Sequence, residues 1–105
     1  MSGGTIALGA GSDKLTLANG TNSLTLADDI ETLIGGTGAD SVTFSTALTA
    51  GTVNLAGGSD SVTLANAANT ITLFNVESIT GGTLGDDVTL GSALTGASVS
   101  LGAGT

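Results

Sequence analysis

One stretch of this chain occurs twice. Gly11-Ser12-Asp13-Lys14-Leu15-Thr16-Leu17-Ala18-Asn19 returns 47 positions later as Gly58-Ser59-Asp60-Ser61-Val62-Thr63-Leu64-Ala65-Asn66. Asp29-Ile30-Glu31 returns as Asn75-Val76-Glu77 with one residue dropped, and Gly35-Gly36-Thr37 returns as Gly81-Gly82-Thr83. Thr46-Ala47-Leu48-Thr49 returns as Ser92-Ala93-Leu94-Thr95. The sequence therefore reads as a single domain, 1–105, made of copy one (11–57) and copy two (58–103). A unit of this size cannot bury an apolar face by itself, so the copies must stack on one another.

A finer period runs inside each copy. Ile6-Ala7-Leu8, Leu15-Thr16-Leu17, Leu24-Thr25-Leu26, Val42-Thr43-Phe44 and Val53-Asn54-Leu55 alternate apolar, polar, apolar. So do Val62-Thr63-Leu64, Ile71-Thr72-Leu73, Val88-Thr89-Leu90 and Val99-Ser100-Leu101. That alternation turns one face of a strand inward and the other outward. The gaps hold Gly, Asn, Asp, Ser and Ala, which make tight turns. Gly is too frequent for helices, and no apolar stripe at i, i+3, i+4, i+7 is sustained. Near-identical strands at near-constant spacing favour parallel stacking over an antiparallel sandwich. The expected fold is all-β: a parallel β-solenoid, a β-roll or β-helix with short strands.

The phasing of the coils is set, on this reading, by the recurring Asp13, Asp40, Asp60 and Asp86. Each opens a coil, with Leu15, Val42, Val62 and Val88 stacking as one sheet and Leu24, Val53, Ile71 and Val99 as the other. Residues 30–34 and 76–79 then form a third side. Stacking of whole 47-residue coils is the rival phasing.

Composition supports a narrow interior. Two Phe are the only aromatic residues, and the remaining apolar side chains are mostly Val, Leu, Ile and Ala. Nine acidic residues face one basic residue, Lys14, for a net charge of −8. No basic patch could neutralise phosphates, so nucleic acid is excluded as a partner. No apolar run approaches the roughly 18–20 residues of a membrane-spanning helix, so insertion of that kind is not expected. With no Cys, disulfides and thiolate metal sites are ruled out. Without His or Cys, and with no nucleophile–base pair, the sequence gives no support to an enzyme. Glu31 and Glu77 recur at equivalent positions, which suggests architecture more than acid–base chemistry.

Gly35-Gly36-Thr37-Gly38-Ala39-Asp40-Ser41-Val42-Thr43 fits the nonapeptide G-G-x-G-x-D-x-U-x at every position. Gly9-Ala10-Gly11-Ser12-Asp13-Lys14-Leu15 matches it without the first glycine. Gly58-Ser59-Asp60-Ser61-Val62 keeps its later half, and Gly81-Gly82-Thr83-Leu84-Gly85-Asp86-Asp87-Val88 keeps the first glycines and the Asp. The chain resembles the repeats-in-toxin (RTX) family of secreted, calcium-binding proteins. That resemblance implies calcium as a cofactor, with Asp13, Asp40, Asp60 and Asp86 as carboxylate ligands and Gly9, Gly11, Gly36 and Gly38 as carbonyl ligands. The alternative is that these Asp residues organise turns through hydrogen bonds to the backbone.

Asn22 and Asn69 are candidates for an amide ladder. Thr16, Thr43, Thr63 and Thr89 are candidates for one outward Thr column, with Thr25 and Thr72 in another. The function these features suggest is a structural repeat module of a secreted or cell-surface protein: an array, adhesin stalk, surface layer or filament. The likeness of Thr5-Ile6-Ala7-Leu8-Gly9-Ala10-Gly11-Ser12 to Ser98-Val99-Ser100-Leu101-Gly102-Ala103-Gly104-Thr105 adds two compatible expectations, a segment of a longer array and head-to-tail self-association. The alternative function is an ice-binding or glycan-binding surface.

Overall fold

The computed structural model describes residues 1–92 and 96–103. Ala93, Leu94 and Thr95, together with Gly104 and Thr105, lie outside the described residues. Among the described residues eleven strands follow one another: β1 (Ser2–Ile6), β2 (Lys14–Thr16), β3 (Asn22–Leu26), β4 (Thr32–Ile34), β5 (Asp40–Phe44), β6 (Gly51–Asn54), β7 (Ser61–Thr63), β8 (Thr70–Phe74), β9 (Ser78–Thr80), β10 (Asp87–Leu90) and β11 (Ser98–Ser100). No helix occurs among the described residues.

The strands alternate between two sheets. The odd strands form sheet A in the order β1-β3-β5-β7-β9-β11, and the even strands form sheet B in the order β10-β8-β6-β4-β2. Every pairing is parallel. The chain is a parallel β-solenoid of about five turns. Two strands make one coil. The register shows how far the chain travels per coil: 18 residues from Ser23 to Ser41, 20 from Ser41 to Ser61, 17 from Ser61 to Ser78 and 20 from Ser78 to Ser98. Five coils at about 4.8 Å each rise only about 24 Å, so the molecule is a slab, with extents of 35 × 34 × 21 Å.

The alternation seen in the sequence packs the space between the sheets. Leu24, Val42, Val62 and Ile79 stack along the inner face of sheet A. Leu15, Leu33, Val53 and Leu73 stack along sheet B. With Leu26, Phe44, Leu55 and Val76 they form one core. Each fully buried aliphatic side chain contributes about 1.5–3 kcal/mol.

The phasing differs from the sequence reading. Val42 does pair with Val62, but Leu15 and Val88 belong to the opposite sheet. Leu24 stacks on Val42, whereas Val53 and Ile71 lie in sheet B and Val99 in sheet A. The expected third side does not exist: residues 32–34 are β4 and residues 78–80 are β9, ordinary rungs of the two sheets.

The cause is numerical. A 47-residue unit holds five strands, an odd number, and an odd number of half-coils ends on the opposite sheet. Thus β2 corresponds in sequence to β7, β3 to β8, β4 to β9, β5 to β10 and β6 to β11, and each correspondence switches sheets. The two copies are related by a half-turn about the coil axis.

Candidate functional site

The polar chemistry of the molecule collects at the two edges where the chain crosses between sheets. On crossing from sheet A to sheet B, β2, β4, β8 and β10 are entered past Asp13, Glu31, Asn69 and Asp86, while β6 opens on Gly51. On crossing back, β3, β5, β7 and β9 are entered past Asn22, Asp40, Asp60 and Glu77. The four Asp residues expected to share one column are therefore divided, two to each edge.

Along each edge a side chain accepts a hydrogen bond from the backbone N–H of its counterpart one coil earlier. The Asn22 N–H donates to Asp40 Oδ1 (3.0 Å), the Asp40 N–H to Asp60 Oδ1 (2.7 Å) and the Asp60 N–H to Glu77 Oε2 (2.8 Å). On the opposite edge the Asp13 N–H donates to Glu31 Oε2 (2.7 Å), the Leu48 N–H to Asn69 Oδ1 (3.1 Å) and the Asn69 N–H to Asp86 Oδ1 (3.3 Å). Parallel strands leave the first N–H of each rung to be satisfied by something outside the strand ladder. A short acceptor placed at the strand entrance does this at each step from β3 to β9, whereas the other edge is broken at β6, which opens on Gly51, and Asn69 accepts there from Leu48 in the preceding loop. Glu31 and Glu77 fill the same place as Asp, with one methylene more.

Asn22 and Asn69 do not stack on each other. Each lies beneath an Asp, donating from Nδ2 to Asp40 Oδ1 (2.9 Å) and Asp86 Oδ1 (2.8 Å). Each also ties down its own corner: Asn22 Nδ2 reaches the Ala18 and Gly20 carbonyls, and Asn69 Nδ2 the Ala65 and Ala67 carbonyls. Asn19 and Asn66, which sequence reasoning missed, accept from the N–H groups of Thr37 and Thr83 in the next coil. Their equivalence across the repeat was the available signal.

The glycines have a steric role that the structure makes explicit. Gly38 sits against Gly20 of the preceding coil, and a Cβ on Gly36 would approach the Ala18 carbonyl at 2.9 Å. Gly9 and Gly11 lie in the corner before Asp13, on the other edge from Gly36 and Gly38.

The charge of the buried acids is incompletely compensated. Asp40 and Asp60 are 2% and 1% exposed. In Asp13, Asp40, Asp60 and Asp86 alike, Oδ2 is buried without a hydrogen-bond partner. Burial pushes the Asp60 carboxyl above its ordinary range; the Asp40 N–H pulls it down, while the nearby charges of Asp40 and Glu77 push it further up.

Calcium takes 6–8 oxygens. Among the described residues no three acidic side chains gather around one point. Asp40 and Asp60 occupy adjacent rungs of one edge, so of the expected ligand set these two carboxylates are neighbours, while Gly36 and Gly38 lie in the loop that leads into Asp40 and the Gly38 carbonyl faces Gly58. Asp13 and Asp86 stand at opposite ends of the other edge, four rungs and about 19 Å apart.

The outer face of sheet A is a second feature. The register aligns Ser2, Ser23, Ser41, Ser61, Ser78 and Ser98 in one column. Two residues along the strands, or three in β1 where the register shifts, Thr5, Thr25, Thr43, Thr63, Thr80 and Ser100 form a second. The expected column of Thr16, Thr43, Thr63 and Thr89 is divided between the sheets. On sheet B, Lys14, Thr32, Thr52, Thr72 and Thr89 align, while Thr16 meets Ile34.

Fold and edges define a β-solenoid repeat protein whose coils are fastened by side-chain-to-backbone columns. Comparison with family models, curated proteins and solved structures found no match.

Proposed function

We propose that this chain is a structural repeat module of a secreted or cell-surface protein, a segment of solenoid whose length is set by the number of 47-residue units. The observation that carries the reading is the joint between the copies. Asp40 of copy one donates its N–H to Asp60 of copy two at 2.7 Å, and the cores of the two copies are continuous across that step. The unit thus propagates: each copy offers the next an edge of the kind it received, turned by half a turn. In such arrays stability rises with copy number, because each added unit brings another interface. An acidic, Cys-free surface suits an exported array.

Inserting a third copy of residues 11–57 between residues 57 and 58 tests this. The chain should lengthen by about 12 Å, two and a half rungs, and melt at a higher temperature. A lower melting temperature, or a separate second body in small-angle scattering, would overturn the reading. Calcium belongs to this proposal at the Asp40–Asp60 step, where two unpartnered carboxylate oxygens lie on adjacent rungs. A calcium-dependent rise in melting temperature that disappears in Asp40→Asn/Asp60→Asn is the expected signature.

A second reading rests on the outer face of sheet A. Two hydroxyl columns six rungs long form a regular lattice with no charged residue in it. Such a face suits ice or a glycan with repeating hydroxyls. Thermal hysteresis of the wild type, abolished by Thr43→Lys/Thr63→Lys, supports this reading; freezing behaviour identical in the two proteins excludes ice.

A further inference from the structure

The internal joint has two incomplete relatives in the same molecule. On the sheet A-entering edge the column runs Asn22, Asp40, Asp60, Glu77 without interruption. On the opposite edge the equivalent residues form two halves: Asn69 with Asp86, and Asp13 with Glu31. Asp86 corresponds by the repeat to Asp40, and Asp13 to Asp60. The link that Asp40 and Asp60 make is the one that Asp86 and Asp13 lack.

We infer that the β10 end of this molecule docks onto the β2 end of a second copy, so that Asp86 and the second copy's Asp13 rebuild the Asp40–Asp60 link. The inference deepens the repeat-module reading. Burial agrees with it. Val42 and Val62, facing each other across the internal joint, are 1% and 0% exposed, whereas their equivalents Val88 and Leu15 are half-buried. Phe44 is 1% exposed; its equivalent, Leu90, is 42% exposed.

Charge agrees as well. Ser41 and Ser61 pair across the internal joint. Their repeat equivalents are Asp87 and Lys14, the latter the one basic side chain of the sequence, and both are exposed on edge strands of sheet B. Docked in the register of β5 on β7, Asp87 faces Lys14 and Thr89 faces Thr16. Opposite charges directly across strands are favourable and set register.

The sheet A side has its own template. In β6 on β8, Thr52 meets Thr72 and Val53 meets Leu73. The equivalent step places Ser98 on Thr25 and Val99 on Leu26 of the incoming copy. Those places are held within the chain by Thr5 and Ile6 of β1. β11 therefore displaces the incoming β1, whose sequence pattern it shares. β1 is suited to leave: residues 2–5 are exposed and its register breaks between Ser2 and Thr5.

The chain has no Cys, so cross-linking is clean. The variant Thr16→Cys/Thr89→Cys should give a ladder of disulfide-linked dimers, trimers and larger species on mild oxidation. Within one molecule these positions are four rungs apart and cannot join. Thr16→Cys/Thr43→Cys is the control and should give no ladder. Sedimentation of Lys14→Asp and of Asp87→Lys should show association weakened by about tenfold at low salt, and Lys14→Asp/Asp87→Lys should restore it. A wild type that stays monomeric at millimolar concentration would overturn the inference, as would oligomers that never link residue 16 to residue 89. Neither result touches the third-copy experiment, which reads the repeat module within one chain.

Discussion

Replacing Gly38 by Ala probes the contact on which coil stacking depends. Gly20, Gly38 and Gly58 lie at corresponding corners of three successive coils, with φ of 108°, 115° and 147°. A Cβ on Gly38 would sit 2.7 Å from the Gly20 carbonyl carbon, 2.8 Å from its oxygen and 2.9 Å from its Cα. Carbon atoms prefer about 3.5–4.0 Å, so the coils would have to part by most of an ångström. They are held against that by the Gly20 N–H donating to the Thr37 carbonyl and the Gly38 N–H to the Gly57 carbonyl at 2.8 Å. The backbone conformation costs an L-residue roughly 1–2 kcal/mol, and overpacking against unyielding backbone adds about 1–3 kcal/mol. The sum, about 2–5 kcal/mol, is a large share of the roughly 5–15 kcal/mol that stabilises a domain. Urea unfolding followed by far-ultraviolet circular dichroism measures it, since the chain has no Trp or Tyr for fluorescence. Gly57→Ala is the matched control. A Cβ there meets nothing within 4 Å, so its effect should stay within about 0.5 kcal/mol. If Gly38→Ala is as stable as Gly57→Ala, the stacked-corner argument is wrong.

Other perturbations test the remaining parts. The folded state holds the Asp60 proton to higher pH than the unfolded chain, whose value is near 3.8. Its contribution is thus fully present below that value and lost as pH rises through the raised folded value; Asp60→Asn should flatten the acid side of a stability-against-pH curve. Asn22→Ala and Asn69→Ala should each cost about 2–4 kcal/mol, because each strands two corner carbonyls and removes a bond to Asp. The two losses should be similar in thermal melts, although the residues lie on opposite edges. Leu33→Ala, at a site 0% exposed, should cost about 2–5 kcal/mol, while Leu84→Ala, at a site 52% exposed, should change unfolding free energy by less than about 0.5 kcal/mol.

The strands and their inward faces were legible in the sequence because period-2 alternation needs only local information. Val42-Thr43-Phe44 and Val62-Thr63-Leu64 announce both their type and their parallel partner. The phasing was not legible, because Asp13 and Asp60 open closely similar sequences yet face opposite edges. Likeness between segments reports the repeat, whereas stacking follows the coil, and with five strands per repeat the two disagree by half a turn. β4 and β9 were misplaced for a related reason. Their strand entrances use Glu31 and Glu77 where β2, β3, β5, β7, β8 and β10 use Asp or Asn, so they lack the glycine-rich signature. The Asp residues singled out in the sequence stand on two edges instead of in one column. Asp40 and Asp60 are neighbours, while Asp13 and Asp86 each bond instead to the edge-mates Glu31 and Asn69. The Ser column of sheet A became visible only once the register was known.

Two disulfide variants compare the coil directly with the repeat. In the two-sided coil Ser41 and Ser61 are paired neighbours, and Cys at both should close a disulfide within one chain. Lys14 and Ser61 are equivalent by sequence but lie on opposite sheets, and Cys at both should stay as free thiols in the monomer. Closure of the 14–61 bridge without the 41–61 bridge would mean that whole 47-residue coils stack, and would contradict the half-turn relation between the copies.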